Sequence, residues 1–370
     1  MHPLGQQQSF SNRTIVISCA CALLPISFFL ALAFGTVSIS FSDTLWSLLH
    51  SVVGSESASG SSLGSGTDLA SRLKLTSRTD LIVQQIRLPR ALLAAIVGAL
   101  LGICGATTQG LFRNPLADPS LIGVTAGASA GAALTIFFAG SLTSLSGLPG
   151  LGLVSIGAFI GGSIAVILVY SLATNTQGTS VATMLLAGIA ITALAGSLTN
   201  ILEFFGDEQI LRRISLWRMG GLDGASYQRV AIAAVFGSII LVILPRFSTA
   251  LNALLLGESE ARHLGLSVQS IKIKLVLLVA AGVGISVALA GTIAFIGLII
   301  PHMIRLLIGP DHRYLLPISA LGGAILLLLS DTIARTIVSP IELPVGLVTA
   351  ILGAPFFISL LRRRHEFGMR

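Results

Sequence analysis

Long apolar stretches, each separated by a short polar or glycine-rich segment, constrain this chain more than any other feature. An apolar run of about 20 residues is long enough to cross a bilayer as a helix. Charged residues make up only 10% of the 370 residues, whereas a soluble domain carries about 25%. We therefore exclude a soluble globular enzyme and a disordered or fibrous chain. The pattern predicts an all-α membrane protein with about ten transmembrane helices in a single domain spanning residues 1–370, with its membrane bundle at 13–361. We expect the spans at 14–41, 88–107, 121–138, 151–172, 181–205, 230–244, 275–290, 293–307, 315–333 and 345–361.

Positive charge at the end of the last span predicts the orientation of the chain. An even number of spans places both termini on one side, and Arg362, Arg363 and Arg364 directly follow the last span. Because Lys and Arg collect on the cytoplasmic side, we expect both termini in the cytoplasm. Residues 42–86 then form an exported Ser/Gly-rich loop, and 206–229 form an exported loop with a short helical pattern.

The segment 247–271 is cytoplasmic in this topology and is longer than a simple connection needs. Its sequence predicts short amphipathic helices separated by glycines. A helix with one polar and one apolar face is suited to docking in a groove of a partner protein.

The net charge of +7 does not indicate nucleic-acid binding, because the basic residues are scattered between apolar runs and form no basic stripe. Lys74, Lys272 and Lys274 are the only lysines, and no phosphate-binding P-loop is present. We therefore predict no catalytic residues and no nucleotide site, so that any ATP hydrolysis belongs to a partner. Cys19, Cys21 and Cys104 lie in apolar segments, which is typical of packing residues.

Few ionisable groups fall inside the predicted spans. Glu203 and Asp331 lie near span ends, and we interpret them as solvated helix ends, although an ion-coupled carrier or a channel remains the alternative class. Imidazole can ligate iron, but neither His302 nor His312 has a second ligand at helical spacing. We therefore predict no metal site. Small-xxx-small pairs, which favour close helix packing, occur at Gly98/Gly102, Gly127/Gly131 and Gly157/Gly161.

Several motifs stand out along the chain: Arg87-Leu88-Pro89-Arg90, Gly98 to Gly102, Gly105 to Gln109, Arg113 to Pro119, Gly123, Gly291 to His302, Glu342 to Gly346, Thr349 and Gly353 to Phe357. Together they resemble those of one family, the permeases of ABC importers for iron-siderophores, haem and vitamin B12. The resemblance covers residues 15–361. The longer first exported loop and the N-terminal extension depart from the family pattern.

The resemblance implies a type II ABC importer permease fold in a bacterial inner membrane. It also implies three protein partners: a second copy of the chain, a cytoplasmic ATPase dimer and a periplasmic substrate-binding protein. Residues 207–222 look most like haem permeases. We therefore expect haem as the transported substrate and no permanently bound cofactor, with a ferric siderophore or vitamin B12 as alternatives.

Three groups of residues are candidates for functional sites. Arginines on the exported side run against the positive-inside tendency, and the resemblance implies that Arg87, Arg90 and Arg335 receive glutamates of the binding protein. For ATPase coupling we expect an exposed helix with small residues against the partner: Gly257, Glu258, Glu260, Ala261, Arg262, His263 and Gly265. Translocation or gating is assigned to Gln109, Asn114, Pro115, Arg212, Arg213 and Trp217.

Overall fold

The described part of the chain folds into helices and one short hairpin. The structure is a computed structural model that describes residues 3–37, 39–53, 79–139, 150–175 and 178–366. The first elements are α1 (Pro3–Ala33), α2 (Phe41–Val53), α3 (Leu88–Leu111), α4 (Val124–Phe137), α5 (Gly150–Ala173), β1 (Thr174–Asn175), β2 (Gly178–Thr179) and α6 (Val181–Phe205). The remaining elements are α7 (Glu208–Arg218), α8 (Tyr227–Ile243), α9 (Ser248–Leu256), α10 (Glu258–His263), α11 (Val268–Ala290), α12 (Ile296–Ile308), α13 (His312–Thr336) and α14 (Val345–Glu366).

The predicted spans correspond to ten of these helices. Seven helices of the described chain, α1, α3, α5, α6, α8, α11 and α13, are long and apolar enough to cross a membrane. Three more, α4, α12 and α14, are shorter apolar helices. The all-α membrane fold is therefore confirmed. That all of residues 1–370 form one domain remains a prediction.

Two predicted segments differ in detail from the structure. The predicted Ser/Gly-rich loop 42–86 contains helical residues, because its first part belongs to α2 and a π-helical turn (Ile82–Arg87) leads directly into α3. Its low-complexity part, within 54–78, lies outside the described residues. In addition, α11 begins at Val268 rather than at 275, which brings Lys272 into a helix.

Polar caps define several helix starts in the second half. The side chain of Asp207 accepts a hydrogen bond from the backbone N–H of Ile210 at the start of α7. Ser226 caps α8 through the N–H of Arg229. A side-chain acceptor at this position satisfies one of the backbone donors that a helix start leaves without a partner. The short helices predicted in 206–229 and 247–271 are thus present as α7, α9 and α10.

The α3 helix is the centre of the bundle, and it packs by backbone approach. In the apolar part of this helix, 78% of the residues are buried. An added Cβ at Gly98 or Gly102 would overlap the carbonyl oxygens of Gly323 and Ser319 on α13. The same relation joins Gly131 of α4 to the carbonyl oxygen of Gly157 on α5. The prediction that the small-xxx-small pairs are packing devices is therefore confirmed.

The spans alternate in direction, so the bundle has two ends. The arginine end carries Arg87, Arg90 and Arg335, where the end of α13 meets the end of α1. The hairpin end carries β1 and β2, paired antiparallel with Thr174 opposite Thr179. There the start of α11 contacts the hairpin, and the start of α13 contacts α9.

Candidate functional site

A buried ion network occupies the arginine end, with Arg90 on the first turn of α3 at its centre. The Nη2 atom of Arg90 lies 2.9 Å from Oδ1 of Asp331, and its Nη1 atom lies 2.6 Å from Oε2 of Glu342. Asp331 also pairs with Arg335, whose Nε atom is 3.0 Å from Oδ2. One carboxylate therefore bridges two guanidinium groups, as buried charges require partners of opposite sign.

Arg87 joins this cluster through backbone carbonyls. Its guanidinium donates to the carbonyl oxygens of Leu32, at 2.7 Å, and Ala33, at 2.8 Å, and also to that of Val37. These bonds tie the chain that follows α1 to the start of α3. Within the cluster three guanidinium groups face two carboxylates, so one positive charge is not balanced by a carboxylate. A cavity of about 90 Å³ opens beside the cluster and is lined by all three arginines and Glu342.

The structure corrects one expectation about this end. Asp331 is not a solvated helix end, because it is completely buried and holds Arg90 and Arg335. The three arginines are buried as well, since Arg87, Arg90 and Arg335 are only 3%, 7% and 4% exposed. The sequence motifs correctly indicated that the three arginines lie at the same end of the bundle. They did not indicate Asp331 and Glu342 as the partners of these arginines. Their role in docking remains a prediction.

Glu203, the other candidate acid, behaves as predicted for a helix end. It lies near the end of α6 and pairs with Arg218 of α7, with Oε1 and Nη1 separated by 3.2 Å. The pair is partly exposed, and pairs of this kind contribute little to stability.

At the hairpin end, α10 presents a mixed surface. Glu260, Arg262, His263 and Gly265 are exposed, and Leu264 between them is 64% exposed. Gly257 and Gly265 bound the helix with φ values of +128° and +81°, in the region that favours glycine. These turns isolate α10 as a short separate element.

Two members of the predicted coupling group face inward instead. Ala261 is completely buried, so its side chain packs inside the chain and cannot line a partner's groove. Glu258 is partly buried and lies 2.5 Å from Nζ of Lys272 on α11, with a longer 3.8 Å approach to Arg262. The expectation that these two residues lie on the exposed face is therefore wrong. A helix of six residues is too short for its sequence pattern to predict which face is buried.

The first three candidates for translocation lie at the end of α3 and in the turn that follows it. Gln109 is buried and donates to the carbonyl oxygen of Leu298 at 3.1 Å. The N–H of Asn114 returns to the carbonyl oxygen of Gln109, while its side chain accepts from the N–H of Leu116. Pro115 lies in this turn. The structure gives all three a local structural role, and their part in translocation remains a prediction.

The other three lie on α7 at the arginine end. Arg212 and Arg213 are exposed, whereas Trp217 is half-buried against the core. An added Cβ at Gly291 would overlap the carbonyl oxygen of Trp217, and the N–H of Gly221 donates to Ala290 at 2.9 Å. This Trp-Gly segment is thus a junction between α7 and α11. A gating role for these residues stays a prediction.

His312 joins the start of α13 to α9. His312 is completely buried at the start of α13, and its Nδ1 atom lies 2.8 Å from Oδ1 of Asn252 on α9. Asn252 also donates to Asp311 at 2.7 Å. Burial tends to raise the pKa of Asp311, but the hydrogen bonds from Asn252 and the backbone N–H of Arg313 lower it below its usual value. His302 is 6% exposed. Among the described residues, no group of three or more His, Cys, Asp or Glu could hold a metal ion.

Comparison with known sequences identifies related membrane proteins. A family model described as the FecCD transport family matches residues 23–363. The hemin transport system permease protein HmuU of Yersinia pestis is 47% identical over 76% of this chain and 83% of its own length. The cobalamin import system permease protein BtuC of Halobacterium salinarum is 43% identical over 77% of this chain and 74% of its own length.

A solved structure has the same architecture. It is described as an inward-facing conformation of a metal-chelate type ABC transporter, and it superposes with a TM-score of 0.77 at 30% sequence identity. The match covers 95% of this chain and 99% of that one. The correspondence therefore extends over nearly the whole bundle.

Proposed function

Because the chain belongs to the FecCD transport family, we propose that it is the membrane permease that moves haem inward through an ATP-driven importer. Membership in this family confirms the resemblance that the sequence motifs indicated, and the chain has the type II ABC importer permease fold. It is a multi-pass membrane protein and a permease of the metal-chelate, haem and vitamin B12 type. That the cargo is haem is the more specific part of this proposal, and the experiment below tests it.

The observation that carries haem as the cargo is the 47% identity to a hemin permease over 76% of the chain. The second candidate is vitamin B12, supported by the 43% identity to a cobalamin permease. A ferric siderophore is the third. The structure also weighs against an ion-coupled carrier. Among the acidic residues whose side chains are described, Asp331 is the one that is completely buried, and it forms ion pairs with two arginines. The acid that an ion-coupled carrier would need is thus engaged in joining α3 to α13.

We expect haemin to stimulate ATP hydrolysis when the permease is reconstituted with its partner ATPase and binding protein in proteoliposomes. Cyanocobalamin and a ferric hydroxamate siderophore serve as matched competitors, and empty binding protein gives the basal rate. The proposal requires the largest stimulation and measurable uptake with haemin. Stronger stimulation by cyanocobalamin would transfer the assignment to vitamin B12, and uptake without any ATPase would indicate a secondary carrier.

The proposed assembly contains two copies of the chain, two ATPase subunits and one binding protein. The hairpin end, with α10, faces the cytoplasm of a bacterial cell and receives the ATPase, and both termini lie on that side. The arginine end faces the binding protein. Two observations support this arrangement. At the hairpin end, the exposed surface of α10 is suited to docking against a partner. At the opposite end, the arginines are suited to binding an acidic partner, because Arg forms forked bonds with carboxylates.

Docking at the arginine end works by exchange of one carboxylate for another. Arg90 holds Glu342 through Nη1, while its Nε and Nη2 atoms hold Asp331. Asp331 is completely buried, but the side chain of Glu342 is 35% exposed and faces the cavity. Glu342 is therefore the carboxylate that an incoming glutamate of the binding protein would replace, and the unbalanced positive charge of the cluster favours that exchange.

Replacement of Glu342 by Gln should strengthen docking several-fold, because Arg90 loses the competing internal carboxylate. Biolayer interferometry with the permease–ATPase complex in nanodiscs measures the affinity for the binding protein. Glu203→Gln is the control, since it removes a paired carboxylate at the same end. Weaker docking of Glu342→Gln would mean that Glu342 itself contacts the partner. Reversal of Arg90 to Glu is a poor test, because it would bring a second carboxylate against buried Asp331.

A further inference from the structure

The start of α11 connects two elements of the hairpin end that are distant in sequence. Lys272 is 3% exposed, and its Nζ atom donates to the carbonyl oxygen of Thr179 at 3.1 Å. The same Nζ atom lies 2.5 Å from Oε1 of Glu258 on α10. A single buried ammonium therefore joins α10 to the hairpin. Burial of a charged group is costly unless the group is paired and hydrogen-bonded, and Lys272 has both kinds of partner.

Gln269, one helical turn before Lys272, completes the connection on the hairpin side. Its Oε1 atom accepts from the N–H of Thr179 at 3.0 Å, and its Nε2 atom donates to Oγ1 of Thr179 at 2.5 Å. Nε2 also lies 3.3 Å from the hydroxyl of Tyr170 on α5. The backbone N–H, the backbone carbonyl and the hydroxyl of Thr179 are thus all held by α11.

Thr179 directly precedes the start of α6. Ser180 is the N-cap of α6 and accepts from the N–H of Thr183 at 3.3 Å. In the apolar part of α6 only 17% of residues are buried, against 78% in α3. Among the seven long spans of the described chain, α6 is therefore the least buried within its own chain. Movement of Thr179 acts on the first turn of this span.

An open cavity beside this connection leaves room for such movement. It measures about 670 Å³ and is lined by residues of the hairpin, α10 and the start of α11, including Glu258, Arg262, Gln269 and Lys272. The elements meet through polar side chains across this space, so their relative position depends on a few directed bonds. Bonds of this kind fix geometry more sharply than apolar contacts do.

We propose that Lys272 and Gln269 are positioning residues that transmit movement of α10 to the cytoplasmic end of α6 through Thr179. The inference rests on the proposed function, in which the ATPase engages α10. In this arrangement a displacement of α10 pulls Glu258, Lys272 follows its ion pair, and Thr179 carries the displacement into the first turn of α6. The connection runs within one copy of the chain.

The test measures coupling in the full complex with ATPase and binding protein in proteoliposomes, as haemin taken up per ATP hydrolysed. Lys272→Met and Gln269→Leu should lower this ratio at least several-fold while basal ATP hydrolysis continues. Lys272→Arg, which keeps a charged donor, should restore part of it. Lys274→Met is the matched control, because it removes the same charge from an exposed position on the same helix, and it should leave the ratio unchanged.

A second readout does not depend on the cargo. Hydrogen exchange follows the amide of Thr179 with and without ATP-bound ATPase. Wild type and Lys274→Met should show a nucleotide-dependent change at this amide, and Lys272→Met and Gln269→Leu should not. A wild-type complex that imports no haemin overturns the proposed cargo, while the exchange data still test the connection. If both variants keep the wild-type ratio and the wild-type exchange response, the transmission role is wrong.

Discussion

Asp331→Asn should remove most of the folded permease from detergent extracts. The carboxylate is completely buried and pairs with Arg90 and Arg335 at 2.9 and 3.0 Å. Asparagine fills the same space but leaves the three buried guanidinium groups of the cluster with Glu342 as the remaining carboxylate. Removal of one partner from a buried ion pair costs about 3–5 kcal/mol, which is a large part of the about 5–15 kcal/mol that stabilises a typical domain.

Fluorescence-detected size-exclusion chromatography after heating measures this effect. Glu342→Gln is the control, because its carboxylate belongs to the same network but is partly exposed, and loss of such a pair costs about 1 kcal/mol or less. The triple variant Arg90→Met, Asp331→Leu, Arg335→Met removes Asp331 together with the two guanidinium groups that it pairs with, and it should recover much of the lost stability. A melting temperature of Asp331→Asn equal to that of Glu342→Gln would contradict the proposed role of Asp331.

The arginine cluster shows which part of a site can be predicted from sequence. Asp331 and Arg335 are four residues apart on one helix, a spacing that places them on the same face. Their pairing could therefore be predicted from the sequence. The partnership of Arg90 with Asp331 joins α3 to α13 across 241 positions of the chain. Hydropathy predicts that both helices cross the membrane, but it does not tell which faces meet. The burial of the arginines could not be predicted for that reason.

At the hairpin end, the sequence predicted a helix boundary incorrectly for a different reason. Apolar composition placed the start of α11 at 275, because Lys272 and Lys274 interrupt the apolar run. Helix formation depends on backbone hydrogen bonds rather than on apolar character, and α11 extends back to Val268. The two lysines then point in different directions, with Lys272 buried and Lys274 exposed. Short polar segments at span ends carry too few residues for a periodicity to define this difference.

Glycine spacing was the most informative local signal, since it predicted contacts as well as helices. It placed small residues on one face of α3, and the structure shows the backbone of α13 against that face. The same residue type has no such meaning on α6, where an added Cβ at Gly196 would meet nothing within 4 Å. Gly102 stands four residues after Gly98, whereas the residues four positions away from Gly196 are Thr192 and Asn200. The partner helix then decides whether the glycine is required.

Gly102→Ala and Gly196→Ala should therefore change stability in opposite directions. In a helix Ala is favoured over Gly by about 1 kcal/mol, so Gly196→Ala should raise the melting temperature slightly. At Gly102 the new methyl group overlaps the carbonyl oxygen of Ser319, and overpacking costs about 1–3 kcal/mol, so α3 and α13 must separate and the melting temperature should fall. Thermal unfolding of both variants in the same detergent measures the difference. A Gly102→Ala variant at least as stable as Gly196→Ala would show that the two helices do not depend on this close approach.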